Sequence, residues 1–249
     1  MIRNYKKMKK ILIVDDERAI RALIKSYLEK EGFLTIEAGD GMGAVEAAKK
    51  NRPDLILLDI MLPDINGVDA CLEIRKHTNA PVLFVSCKDQ ELDKIIALSV
   101  GGDDYITKPF LPGELIARVK ANLRRIDMSS VGTEEEEIYK APGLVLNATT
   151  REVWVDNDEV SLTVKEFDML LLFIKHPKRI YSAEQLFEHA WKEESLQGDK
   201  NTIMVYISNL RKKIETNENN YKYILSLRGL GYKFNHQLLQ QKKRKEVVK

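Results

Sequence analysis

No stretch of this 249-residue sequence is apolar for long enough to cross a bilayer. The longest runs, "ILIV", "LILL" and "MLLLFI", hold four to six residues where about 20 are needed. No membrane contact is therefore expected. The basic start "MIRNYKKMKK" is followed by only four apolar residues before "DDE", short of a signal-peptide core, so the chain is expected in the cytoplasm. Cysteine is scarce as well. Cys71 and Cys87 share no metal-ligand spacing and are too few for a disulfide scaffold, so both are read as reduced core residues. With 44% hydrophobic and 31% charged residues, the composition suits neither a disordered nor a fibrous chain.

What is present suggests two domains, since the length exceeds that of one compact unit of about 100 to 150 residues. The net charge of +2 conceals a division. Residues 140–249 hold 19 Lys/Arg against 14 Asp/Glu, an excess of +5, whereas residues 126–139 hold five acids and no base. A basic C-terminal part is compatible with a nucleic-acid partner, although a bias of this size needs a motif beside it.

From Lys10 to Arg125, short β-branched apolar runs ("ILIV", "FLTIEA", "LILLD", "VLFVS", "DYIT") alternate with amphipathic segments at 17–31, 41–51, 67–77, 90–100 and 112–125. Strands that are apolar at nearly every residue are buried on both faces, which implies a doubly wound five-stranded parallel sheet covered by helices on each side. Residues 127–139 lack periodicity and concentrate Ser, Gly and Glu, as a solvated linker does. Beyond them, "GLVLNATTREVWVDNDEVSL" suits an antiparallel meander. Helical patterns follow at 163–175, 183–191 and 200–215, and "YILSLRGLGYKF" reads as a hairpin. The expected limits are 1–126, a linker 127–139, an α+β domain 140–236, and a lysine-rich, frayed tail 237–249.

In a doubly wound fold, functional groups gather at the carboxyl ends of the strands. Asp15 and Asp16 end the first strand, an exposed Asp59 the third, Ser86 the fourth, and Lys108, within "ITKPF", the fifth. Clustered carboxylates repel one another unless a cation neutralises them, and hard oxygen ligands favour Mg²⁺. With the metal present, the Asp59 carboxylate can attack a phosphoryl group whose oxygens Mg²⁺ and the Lys108 ammonium stabilise, with the Ser86 hydroxyl as a further donor. Any one of these acids alone would read as a helix cap or turn residue. "VDDE", "LLDIMLPDING", "VLFVS" and "DDYITKPF" in order, separated by helix-length spacers, are a far more specific signal.

Those four motifs resemble the receiver domains of two-component response regulators over residues 9–125. The resemblance implies that Asp59 takes phosphate from a phosphohistidine of a sensor kinase. It also implies that Asp16, Asp59 and the Met61 carbonyl ligate Mg²⁺, with Asp15 contributing through water. Ser86 and Lys108 would contact the phosphoryl group, and Tyr105 would follow the Ser86 hydroxyl inward. Cys87 stands where such receivers often carry Ala. Phosphorylated members commonly pair through their fourth and fifth helices, which here matches Lys94 with Glu114, Asp104 with Arg118 and Asp103 with Arg125 around Ile95, Leu98 and Ala117.

In the C-terminal part, Ile203, Ile207, Leu210 and Ile214 form an apolar stripe at helical spacing, opposite a polar face. With "LTVKEFDMLLLFIKHP", "VYISNLRKKIE" and the hairpin, residues 140–235 resemble the winged-helix output domain of the OmpR/PhoB family. The partner implied is double-stranded DNA, bound by a homodimer. Thr202, Tyr206, Arg211 and Lys213 are expected at phosphates, and Val205, Ser208 and Asn209 at base edges. Ser226 and Arg228 are expected in the wing. "AWKEESLQGD" would precede the recognition helix and touch RNA polymerase. Two other readings fit less well. Haloacid-dehalogenase-like phosphatases also pair an Asp nucleophile with Mg²⁺, but place it on the first strand with a second acid two residues on. Winged-helix regulators that bind DNA without phosphorylation commonly lose an acid or the lysine, and all five positions are kept here.

Overall fold

The structure is a computed structural model that describes residues 8–88, 91–127, 137–191, 199–216 and 220–239, with the side chains of 91–92, 124–127 and 199 left out. The chain divides into two compact units, Met1–Arg124 and Arg125–Lys249.

The first unit alternates strand and helix: β1 (Lys10–Val14), α1 (Arg18–Lys30), β2 (Leu34–Ala38), α2 (Gly41–Asn51), β3 (Leu55–Leu58), α3 (Gly67–Arg75), β4 (Val82–Ser86), α4 (Glu91–Ser99), β5 (Asp104–Thr107) and α5 (Pro112–Asp127). The strands form one parallel sheet in the order β2-β1-β3-β4-β5. Strand side chains alternate between two cores. Leu12, Val14, Ile56, Leu58, Val82 and Phe84 pack against α2, α3 and Ala97 of α4. Ile11, Ile13, Leu55, Leu57, Leu83 and Val85 pack against α1 and α5. Both faces being covered explains why these strands read as unbroken apolar runs.

Local chemistry sets the helix starts. The Asp40 side chain accepts from the Gly43 amide (2.7 Å) at α2, and Asn66 accepts from the Asp69 amide (2.9 Å) at α3. Asp64, in the loop after β3, also accepts from the amides of Gly41 (2.7 Å) and Met42 (2.8 Å), tying that loop to the N-terminus of α2. The Met42 and Gly41 amides hold its carboxyl down at about 2, below its ordinary 3.8. A depressed folded-state value stabilises the fold above the unfolded value, and that stabilisation disappears as pH falls through the folded one. Asp64→Ala is therefore expected to lower the thermal midpoint at neutral pH, with the gap to the wild type closing between about pH 4 and pH 2, as differential scanning calorimetry across that range would show.

At the amino edge of the same sheet, the Arg75 guanidinium donates to the carbonyls of Gly101 (2.6 and 2.9 Å) and Ala80 (2.6 Å) and to Asp103 Oδ2 (2.7 Å). Asp103 Oδ2 also accepts from the Val82 amide at 3.0 Å. The end of α3 and the starts of β4 and β5 are thus joined by one ion pair.

In the second unit, β6 (Ile138–Ala141), β7 (Leu144–Asn147), β8 (Glu152–Val155) and β9 (Asp158–Glu159) form an antiparallel sheet, as the meander pattern suggests. Helices α6 (Val164–Lys175), α7 (Ala183–Trp191) and α8 (Asp199–Ile214) precede a hairpin of β10 (Ile224–Leu227) and β11 (Gly231–Phe234). Thr163 and Glu166 form a reciprocal capping box at α6. The buried Lys165 ammonium donates to the Ala190 carbonyl (2.6 Å) at the end of α7 and lies 4.5 Å from the Trp191 ring centroid, two arrangements that suit a buried cation. One expectation is corrected here: the chain does not fray from residue 237, because 237–239 form a helical turn and Leu238 is buried. The tail beyond 239 and linker residues 128–136 lie outside the described residues.

Candidate functional site

Parallel pairing of β1, β3, β4 and β5 brings their carboxyl ends side by side, with Val14 opposite Leu58, Leu58 opposite Phe84, and Ser86 opposite Thr107. The ladder continues one step past the strands. The Asp59 amide donates to the Val14 carbonyl (2.9 Å) and the Lys108 amide to the Ser86 carbonyl (2.8 Å). Gly67 closes in from the start of α3. A Cβ there would stand 1.9 Å from the Asp59 carbonyl oxygen, so the close approach requires glycine.

Asp15, Asp16, Asp59 and Lys108 thereby come together from three strand ends, and Ser86 closes the strand between those of Asp59 and Lys108. Lys108 Nζ donates to Asp15 Oδ2 (2.6 Å) and Asp59 Oδ2 (2.5 Å). The remaining oxygens are held by main-chain amides, Asp15 Oδ1 by Glu17 (2.9 Å) and Asp59 Oδ1 by Met61 (3.1 Å). Burial raises the Asp15 carboxyl above its usual range, against the pull of Lys108. Burial works in the opposite direction on the Lys108 ammonium, but its bonds to Asp15 and Asp59 prevail and raise it. Asp59 is 4% exposed and lies under Lys108, which corrects the expectation of an open carboxylate. Asp16 is exposed.

Ligand oxygens of Asp15, Asp16 and Asp59 lie within 4.8 Å of one another. Three carboxylates and one ammonium leave a formal charge of −2, the charge that one divalent cation neutralises, and the donors are all hard oxygens. Beside them the Ser86 hydroxyl is fully buried without a hydrogen-bond partner among the described residues. The residues thus fit both Mg²⁺ and a phosphoryl group. Tyr105 is half-buried, stacked on Phe84 (6.4 Å) and under Lys94 (5.9 Å), and its hydroxyl donates to the Lys88 carbonyl at 2.6 Å. Cys71 is a core residue whose thiol burial pushes up to about 11, but Cys87 is exposed, which corrects its reading as core.

In the second unit, helix α8 buries Ile203, Ile207, Leu210 and Ile214 as expected, and exposes a stripe of Asn201, Met204, Ser208 and Lys212. Val205 and Asn209 flank that stripe, half-buried. The four expected phosphate contacts are placed differently. Thr202 and Tyr206 are buried, Tyr206 at 2% exposure with its ring edge-on to Trp191 (5.1 Å). Lys213 turns to Glu166 (2.6 Å). The Arg211 guanidinium donates to the Ile224 carbonyl (2.8 and 3.2 Å) and to Ser226 Oγ (2.9 Å), so it fastens the hairpin to the helix. A groove results between α8 and the hairpin, lined by Met204, Ser208 and Lys212 on one side and Ser226 and Tyr232 on the other. Sequence reasoning missed Met204 and Tyr232. Arg228 is exposed in the hairpin turn, as expected. The hairpin docks through paired main-chain bonds between Tyr181 and Tyr232 (2.8 and 2.9 Å), where a Cβ on Gly231 would meet the Tyr181 oxygen at 2.1 Å. Residues 192–198 of the loop before α8 lie outside the described residues.

The family model described as response regulator receiver domain matches residues 11–120, and that described as transcriptional regulatory protein, C terminal, matches residues 157–234. Regulatory protein VanR of Enterococcus faecium is 42% identical over 225 residues, which cover 90% of this chain and 97% of VanR. The alkaline phosphatase synthesis transcriptional regulatory protein PhoP of Bacillus subtilis is 39% identical over 231 residues, 90% and 96% of the two chains. A solved mutant of RitR matches with a TM-score of 0.71 at 25% identity, over 91% of this chain and 99% of that one. This chain belongs to the OmpR/PhoB family of response regulators.

As a two-component response regulator it controls transcription. The face expected to pair two response regulators is only partly as read from the sequence. Asp104 accepts from Arg118 (3.1 Å) and Asn122 (3.2 Å) of its own chain, and Arg118 also reaches Glu114 (3.2 Å). Ile95 is half-buried and Ala117 exposed, but Leu98 is buried and belongs to the core. Asp103 is 0% exposed and paired with Arg75, so it offers no surface carboxylate, and the Arg125 side chain lies outside the described residues. Ile96, not singled out beforehand, is exposed on α4.

Proposed function

We propose that this response regulator is switched by transfer of a phosphoryl group from a histidine of a sensor kinase to Asp59. The supporting observation is the Lys108 ammonium bridging Asp15 and Asp59 beside the unpartnered Ser86 hydroxyl. Asp15, Asp16, Asp59 and the Met61 carbonyl would hold Mg²⁺, which neutralises the cluster and polarises the phosphoryl oxygens. As the N–P bond of the donor breaks, the Asp59 carboxylate forms the new O–P bond. Lys108 is then released to the phosphoryl oxygens, and the Ser86 hydroxyl donates to one of them. Movement of Ser86 empties space beside Phe84 and Tyr105, and Tyr105 gives up its bond to Lys88 to follow.

The changed face of α4, β5 and α5 then pairs two copies. Lys94, Glu114, Asp104 and Arg118 set the register, and Ile95, Ile96 and Ala117 supply apolar contact. The functional limits expected from the sequence, 1–126 for the receiver and 140–236 for the output domain, widen to 1–127 and 138–239, because α5 ends at Asp127, Ile138 and Tyr139 pair in β6, and Leu238 is buried. The paired output domains read two half-sites of double-stranded DNA in the cytoplasm, each laying α8 in the major groove with Arg228 reaching beyond it. No described helix is long and apolar enough to cross a membrane. Incubation of the full chain with acetyl phosphate and Mg²⁺ is expected to add one phosphoryl group by intact mass, to shift sedimentation from monomer to dimer at tens of micromolar, and to tighten binding to genomic fragments. Phosphorylated protein that stays monomeric and binds all fragments alike would sink this reading.

A further inference from the structure

We infer that Met204 reads the 5-methyl group of a thymine, and so sets part of the base preference of this regulator. The inference rests on the proposed role of α8 as the helix that enters the major groove. Asn201, Met204, Ser208 and Lys212 follow one another at spacings of three, four and four and form a single stripe on α8. Met204 is the one large apolar side chain in that stripe and is 58% exposed, while the adjacent core is completed without it by Ile203, Ile207 and Leu210. Exposed apolar residues are ordinary when scattered. Met204 instead lines the groove between α8 and the hairpin, opposite Ser226 and Tyr232.

The charges around that groove select its occupant. Lys212 lies two turns further along the stripe, Arg211 forms part of the wall, and Arg228 is exposed at the hairpin turn. The only carboxylate in the lining, Glu215, is engaged by the Ile224 amide at 2.9 Å. A polyanion is favoured over an acidic-poor peptide, and in the major groove of DNA the apolar feature on offer is the thymine methyl. An unbranched thioether adapts its rotamers to such a contact. Ser208, one turn on, offers a hydroxyl that donates or accepts and so tolerates several bases.

The test uses the phosphorylated full chain and the DNA site it selects from a random pool, with each thymine replaced singly by deoxyuridine, which removes the methyl group and nothing else. At one position per half-site the replacement is expected to weaken wild-type binding about fourfold, the affinity equivalent of one buried methyl group. Met204→Ala, at a largely exposed helix position, should be indifferent to deoxyuridine there and keep the wild-type response at other thymines. Met204→Leu should retain the discrimination. Indifference of the wild type at every thymine, or an unchanged deoxyuridine pattern in Met204→Ala, overturns the inference while leaving the role of α8 intact. Failure to select any sequence overturns the role of α8 itself.

Discussion

Asp59→Asn is expected to abolish uptake of phosphate from acetyl phosphate and Mg²⁺, with intact mass spectrometry showing only the unmodified chain. Asparagine keeps the shape of aspartate and its one carbonyl oxygen can still accept from the Met61 amide, while Lys108 keeps its bond to Asp15, so the loop and the sheet edge should stay in place. The change removes the nucleophile and one of the three clustered negative charges. Relief of that repulsion should leave the thermal midpoint of the receiver equal to or above that of the wild type, which separates loss of chemistry from loss of fold. Asp16 is exposed and close by. Persistence of one acid-labile phosphate at wild-type level in Asp59→Asn, mapped to Asp16 or elsewhere, would remove Asp59 from its proposed role.

Arg75→Met should be the most damaging substitution away from the site. It strands the Asp103 carboxylate, which has no exposure, and leaves the Gly101 and Ala80 carbonyls without their guanidinium. Breaking a buried pair from one side costs about 3–5 kcal/mol, a large part of the total stability of a domain this size. Arg75→Met combined with Asp103→Leu should recover the part of that loss that comes from the uncompensated charge, but not the part from the Gly101 and Ala80 carbonyls and the Val82 amide, which lose their side-chain partners in the double variant. Both tryptophans, Trp154 and Trp191, lie in the second unit, so fluorescence would follow the wrong domain. Hydrogen exchange of peptides covering β4 and β5 is the suitable measurement, with faster exchange expected throughout the receiver in the single variant. Equal protection in wild type and Arg75→Met would show that the pair contributes little.

The receiver site was legible because its logic is one-dimensional. Each functional residue follows directly on an apolar strand, and parallel pairing carries strand ends to a common edge whatever the loops do. The sheet, both sets of covering helices and the hairpin followed from periodicity alone. Burial of polar residues was not legible in the same way. Asp103 and Asp104 are adjacent acids at the start of a strand, and nothing in "GGDDYIT" says that one pairs beneath the surface with an arginine 28 positions away. On α8 a signal was present and misread. Tyr206 stands three residues after Ile203 and four before Leu210, on the side of the apolar stripe, and Thr202 precedes it by one turn. Their hydroxyls suggested a polar role, whereas the helical phase buries both, Tyr206 against Trp191. Arg211 and Lys213 were placed by charge, but their partners on β10 and α6 are set by tertiary structure that no local pattern discloses.

The bridge from Lys108 to Asp15 spans 93 positions and that to Asp59 spans 49. A receiver emerging from the ribosome therefore assembles its three carboxylates before the lysine that binds two of them has been synthesised. Until β5 joins the sheet, those acids face each other with no protein cation between them, and long-range parallel pairing of this kind is the slow part of folding. A truncated or half-made receiver thus lacks the ammonium that bridges Asp15 and Asp59 and that, in the proposed transfer, holds the phosphoryl charge. In the proposed switch, completion of the fold and readiness to receive phosphate thereby become a single event.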